Sequence, residues 1–170
     1  TAPPLAEAAL ADPQLYFQEH LHEVQQRLER EATARSLPVP EQLGFPKELP
    51  PSDTVPRLLV QLSLINELTT LIFEQGVAKL SSLKIEDPET VLEDGESRLF
   101  LVRLPVRVRL TSSLPQLMKV LGAIERSASL IDLRALRINP VVASDQLEVE
   151  LVLARSLLPV PAPRSSEAPP

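Results

Sequence analysis

The sequence has no cysteine. Disulfides, thiolate nucleophiles and Cys-ligated zinc are therefore excluded, and no redox compartment is implied. Aromatic residues make up only 3% of the chain, so there is no set of rings on which bases or sugars would stack. Glycine is as scarce. Gly44, Gly76, Gly95 and Gly122 stand far apart, which rules out a glycine-rich phosphate loop or an acylphosphatase-type anion loop. No G-x-S-x-G elbow occurs. The two histidines, His20 and His22, are two residues apart on one helical stretch and point to different faces, so they do not form a two-His metal site by themselves. A formal charge of −6 disfavours non-specific binding to nucleic acid or an anionic membrane surface. No run of 18 apolar residues exists, so nothing in these 170 residues reads as a spanning helix. The first residue is Thr1 rather than Met, and we expect an upstream segment, a signal or a membrane anchor, to have been removed.

What is present is pattern. Hydrophobic residues are 44% of the chain, enough for an aliphatic core of Leu, Val, Ile and Ala. The 170 residues suit one domain with extensions. Asp12-Pro13 is an N-cap followed by proline at the first helical position, so a helix is expected from there to about Ala34 or Ser36. Leu10, Phe17, Leu21, Val24 and Leu28 recur along it at a narrow heptad-like spacing. Two readings stand side by side. The stripe is a coiled-coil seam for a partner, with Phe17, Leu21, Val24 and Leu28 as contacts, or it packs on the helix's own domain. Its narrowness favours the partner. Residues 1–36 are thus expected as a coiled-coil-like helix that projects from the globule. The proline-rich stretch 37–52 is expected as a semi-rigid linker, 53–157 as the globular domain, and 158–170 as a disordered tail.

Within the domain the apolar period alternates between 3.6 and 2. Val55, Leu58, Leu62, Ile65, Leu68 and Ile72 make the broad face of a core helix, capped by Ser52 or Asp53 and stopped by Gly76. A first strand is expected in 77–87, with Leu83 and Ile85 on one face. An acidic hairpin turn containing Asp94-Gly95 follows over 88–96, and it lacks the ligand spacing of a calcium loop. The second strand, 98–111, is the clearest. Its even positions from Phe100 to Leu110 are apolar, while Arg103, Arg107 and Arg109 lie on the other face. Pro105 calls for an edge position or a bulge. Ser112-Ser113 caps a third helix running to about Ser127, with Leu114, Leu117, Val120, Leu121 and Ile124 toward the core. A third strand over 131–142 changes phase, which a bulge near Ala135 reconciles. The fourth, 146–155, buries Leu147, Val149, Leu151 and Leu153 and exposes Glu148 and Glu150.

After the first helix the order is α-β-β-α-β-β. That predicts an α+β fold, a circularly permuted ferredoxin-like domain with two helices on one face of a four-stranded antiparallel sheet. In the matching spatial order the second and fourth strands are neighbours, and the arginine stripe meets Glu148 and Glu150. No catalytic, cofactor-binding or metal-binding residue is assigned, and no cofactor is expected.

Three segments carry a family resemblance. LPPSDTVPRLLVQLSLINELTTLIFEQGVAKLSSLKI, VRLPVRVRLTSSLPQLMKVLGAIERSASLIDLRALRI and LEVELVLA resemble the PilO/GspM group, inner-membrane assembly components of type IV pili and type II secretion systems. The likeness covers about residues 50–155, and the first helix resembles the group's membrane-proximal coiled coil. It implies a non-enzymatic structural component: the periplasmic domain of an inner-membrane-anchored protein, touching the membrane only through a removed N-terminal anchor. It implies homodimerisation or heterodimerisation with a similar pilus or secretion assembly protein, and no nucleic-acid partner. The competing expectation is a soluble ferredoxin-like regulatory or small-ligand-binding module.

Overall fold

The computed structural model describes residues 12–41, 43–91 and 101–157. In chain order its elements are α1 (Pro13–Ala34), α2 (Val55–Glu74), β1 (Lys79–Ile85), β2 (Glu89–Val91), β3 (Leu101–Ser113), α3 (Leu114–Arg126), β4 (Asp132–Pro140) and β5 (Gln146–Leu157). The expected tail, Leu10, Phe100 and the Asp94-Gly95 turn lie outside the described residues.

Local signals set the helix ends. The Asp12 carboxylate accepts from the Leu15 amide at 3.1 Å, and Pro13 fills the first turn without losing a needed donor. Ser113 and Gln116 form a reciprocal capping box at α3. Gly76 takes φ +70° after α2, a left-handed stop that a side chain resists. The start of α2 differs from expectation. Its cap position is Thr54, whose hydroxyl donates to the Pro51 carbonyl at 2.8 Å. Ser52 and Asp53 lie in the turn before it.

The strand order is β1-β3-β5-β4, all antiparallel, with β2 pairing the far end of β3 beyond β1. This is the permuted ferredoxin-like order, and β3 and β5 are central neighbours. The poor phase at the start of β1 is a register shift between Leu80 and Ser82. The phase change in β4 is a second shift between Leu133 and Ala135. β2 was not foreseen: the acidic stretch after β1 contributes a short strand rather than turn alone.

The helices cover one face of the sheet. Leu62, Ile65, Leu68 and Ile72 of α2 are fully buried in one core with Leu80, Val106, Val108, Leu151 and Leu153. A side chain of that size contributes about 1.5–3 kcal/mol on burial. Among the described residues, 12–41 and 43–52 do not form a separate projecting helix and spacer. Phe17, Val24, Leu28 and Ala32 of α1, and Leu43 and Phe45 of the proline-rich segment, join the same core. That segment runs along the outer edge of β1. The Leu80 amide donates to the Pro38 carbonyl at 3.0 Å and the Gly44 amide to the Leu83 carbonyl at 3.2 Å. Only glycine fits there, since a Cβ at position 44 would stand 2.7 Å from the Leu83 carbonyl oxygen.

Pro105 also departs from expectation. It sits in central β3, opposite Ala154, with no register shift. The Glu86 amide donates to the Pro105 carbonyl at 3.1 Å, but proline has no hydrogen to return. The Gln61 side-chain amide, buried on α2, supplies the missing donor. It bonds the Glu86 and Pro105 carbonyls, each at 3.1 Å.

Candidate interaction surfaces

The α1 stripe faces inward. Phe17, Val24 and Leu28 are buried and Leu21 packs against the same core. Phe17 meets Phe45 edge-on, with ring centroids 5.6 Å apart. Polar contacts clamp both flanks. Gln14 donates to the Pro50 carbonyl at 2.7 Å and Gln25 to that of Glu41 at 3.1 Å. Arg27 reaches the Asn66 side chain and donates to its carbonyl at 3.2 Å and to the Thr70 hydroxyl at 3.1 Å. Arg35 donates to the Phe73 carbonyl at 2.8 Å. The reading of these four apolar residues as partner contacts is therefore corrected. The stripe is narrow because α2 and the proline-rich segment share in covering it. His20 and His22 stay apart. His20 lies 3.8 Å from Glu23, and His22 pairs with Gln26 at 2.9 Å.

The open face of the sheet carries the arginines. Glu150 on β5 takes Arg107 at 2.7 Å and Arg109 at 2.6 Å. Arg107 also bonds Glu86, just past β1, and Arg103 pairs with Glu89 of β2 at 3.6 Å. The stripe thus meets acids on both sides, not on β5 alone, and Glu148 makes no ion pair with it among the described residues. The stretch after β1 was expected to be solvated loop. Its acids are legible as partners only once β1 and β2 are known to flank β3.

These contacts set ionisation. The Arg109 hydrogen bond, followed by the charges of Arg107, Arg109 and Arg137, outweighs burial and holds Glu150 below its ordinary 4.5. Glu67 on α2 is partly buried, which would raise its pKa. Hydrogen bonds from Ser129, Arg155 and Ser127 reverse that, and its pKa too is lowered. Arg155 lies 2.6 Å from Glu67, tying β5 to α2. A carboxylate whose pKa falls on folding adds stability at pH above its unfolded value. That contribution is lost as pH falls through the folded value. Thermal midpoints should therefore drop on acidification below about 4.5. The double variant Glu67→Gln/Glu150→Gln should start lower at pH 7 and show a flatter acid limb, as read by thermal melts from pH 7 to 3.

Among the described residues no three His, Asp or Glu could hold a metal. The concavities are shallow. One of about 480 Å³ lies between α1 and the proline-rich segment, and one of about 360 Å³ lies on the open face by Arg109, Arg137 and Glu148. No described helix is long and apolar enough to cross a membrane.

Sequence reasoning missed one apolar surface. Leu114 was expected in the core, yet it is 55% exposed, and Met118 is 59% exposed. Leu133, Leu136 and Ile138 of β4 are 41–44% exposed. The α3 spacing alone made Leu114 look inward, because it stands three residues before buried Leu117.

No protein-family model and no curated protein matches the sequence. Solved structures do match. A crystal structure from Akkermansia muciniphila is 18% identical, covers 88% of this chain and 80% of its own, and superposes with a TM-score of 0.74. A second, described as a structure without its transmembrane region from the same organism, is 18% identical over 88% of this chain and 87% of its own, at 0.72. The type 4 fimbrial biogenesis protein PilO from Pseudomonas aeruginosa is 11% identical over 80% of this chain and 99% of its own, at 0.42. From α1 to β5, the chain has the mixed α+β, ferredoxin-like fold of the two Akkermansia muciniphila structures.

Proposed function

We propose that this chain is the periplasmic portion of an inner-membrane-anchored, non-enzymatic structural component of a type IV pilus or type II secretion assembly platform. It acts by homodimerisation or heterodimerisation with a similar protein. One observation carries the reading: the fold is shared over nearly the whole chain with a protein whose structure is described as lacking its transmembrane region. The sequence resemblance to the PilO/GspM group points the same way. So does the surface chemistry, in which charged groups of the open face are taken up by ion pairs that join β3 to its neighbours. The proposed role is positional. A rigid domain, its first helix clamped into the core, transmits where its anchor and partner are.

Fractionation of the full-length native protein tests this. The protein should sediment with inner membrane, and external protease should cut the domain only after the outer membrane is opened. A fully soluble cytoplasmic protein would sink the reading and favour a ligand-binding module.

A further inference from the structure

The two edges of the sheet are finished differently. The proline-rich segment covers β1. Every residue of β4 is exposed, and among the described residues no segment bonds its outer side. The helix layer stops short of it as well. Gln116 of α3 donates to the Gly76 carbonyl at the end of α2, at 2.8 Å, so that flank of α3 faces α2. Leu114, Met118 and Leu121 lie about a third of a turn or more away, on the opposite flank. Leu133, Leu136 and Ile138 pair in register with Leu153, Leu151 and Val149, whose side chains are buried under the helices. These three β4 residues therefore point to the helix side, yet they remain half exposed.

On the other face β4 is basic. Arg137 stands opposite Glu150 in register, but Glu150 is taken by Arg107 and Arg109. Arg134 is the extra residue at the register shift. Neither makes an ion pair among the described residues. This charge pattern selects the occupant. A second β4 would bring the same arginines together, and like charges across a strand pair repel. A strand carrying glutamates at those positions would pair with them. The chain shows what such a strand looks like. On its inner side β4 already pairs with β5, whose Leu147, Val149 and Leu151 alternate with Glu148 and Glu150.

We propose that the outer edge of β4 is a β-augmentation site for a partner strand of alternating aliphatic and acidic residues. Its aliphatic side would lie on the shelf between α3 and β4, one carboxylate would meet Arg137 in register, and a second would be drawn to Arg134 at the bulge that ends the pairable stretch. This deepens the assembly reading by naming the partner's chemistry. The pairable stretch is short, about 135–139, between the bulge and Pro140, which lacks a donor.

The test uses the whole chain and two peptides, QLEVELVL, which copies residues 146–153, and its reversal QLKVKLVL. Amide exchange at 135–139 and peptide affinity are measured together. QLEVELVL should slow exchange there and bind about tenfold tighter than QLKVKLVL, from favourable charge contacts with Arg137 and Arg134 replaced by unfavourable ones. Arg134→Glu/Arg137→Glu should reverse the preference, with exchange in α2 unchanged as the check on folding. Absence of protection at 135–139, or equal affinity for the two peptides, overturns the proposal. Shielding of 135–139 by self-association of the chain alone overturns it too, in favour of a second copy. These outcomes are independent of membrane fractionation, which tests the anchored role.

Discussion

Phe17→Ala should destabilise the domain by about 3–5 kcal/mol, the range for removing a buried aromatic side chain. At this chain length that lowers the thermal midpoint by roughly 6–20 °C. Phe17 is 1% exposed. Its ring is held by Phe45 from the proline-rich segment, and the void left by alanine cannot fill, because Gln14 and Gln25 pin the helix on both sides of it. The measurement is a thermal or urea melt at several protein concentrations. The expected result is a lower midpoint that does not depend on concentration. If the stripe served instead as a seam between molecules, the melt of the wild type would depend on concentration, and Phe17→Ala would remove that dependence with little change in the dilute limit. That outcome would restore the projecting helix. The experiment therefore decides whether the first helix is a lever fixed to the domain or a separate coiled coil.

The alternation of periods was enough to place the three described helices and the four long strands, because each reports which side of an element meets the core. The spatial order followed only by matching αββαββ to a permuted ferredoxin-like fold, and the observed order β1-β3-β5-β4 is that one. The alternation did not say what a narrow stripe packs against. Phe17, Leu21, Val24 and Leu28 look the same whether their cover is another chain or a proline-rich segment of this one. A pattern read along one element carries no information about a surface shared by three. The same limit hid the shelf by β4. Leu133, Leu136 and Ile138 have the alternation of a covered strand, and they do face the helix side. What fails is the reach of α3, a length and position that the strand's own residues do not encode. The acids Glu86 and Glu89 were hidden for a related reason. Their partners are 21 and 14 residues away along the chain and become neighbours only through β1 and β2 pairing with β3.

Gln61→Leu is the variant that tests how a proline is tolerated in the middle of this sheet. Leucine suits the helix and the apolar surroundings, so propensity and burial both favour it. We nonetheless expect a loss of about 1–2 kcal/mol, because the part-buried Glu86 carbonyl is left without a donor. Glu86 and Pro105 would exchange two bonds if residue 105 had an amide hydrogen. With proline only one forms, from the Glu86 amide. The Glu86 carbonyl then depends on Gln61, which also holds the Pro105 carbonyl and so fixes the distance between β1, β3 and α2. The sequence carries a signal for this, a glutamine three residues after Leu58 and four before Ile65 on an otherwise apolar helix face, where a buried amide needs bonding partners. The pairing is open to a double-mutant cycle. Pro105→Val returns an amide hydrogen to β3, so Gln61→Leu should cost clearly less in that background than in the wild type, measured by urea unfolding. Equal costs in both backgrounds would mean that Gln61 stabilises by packing alone and that the proline is accommodated in some other way.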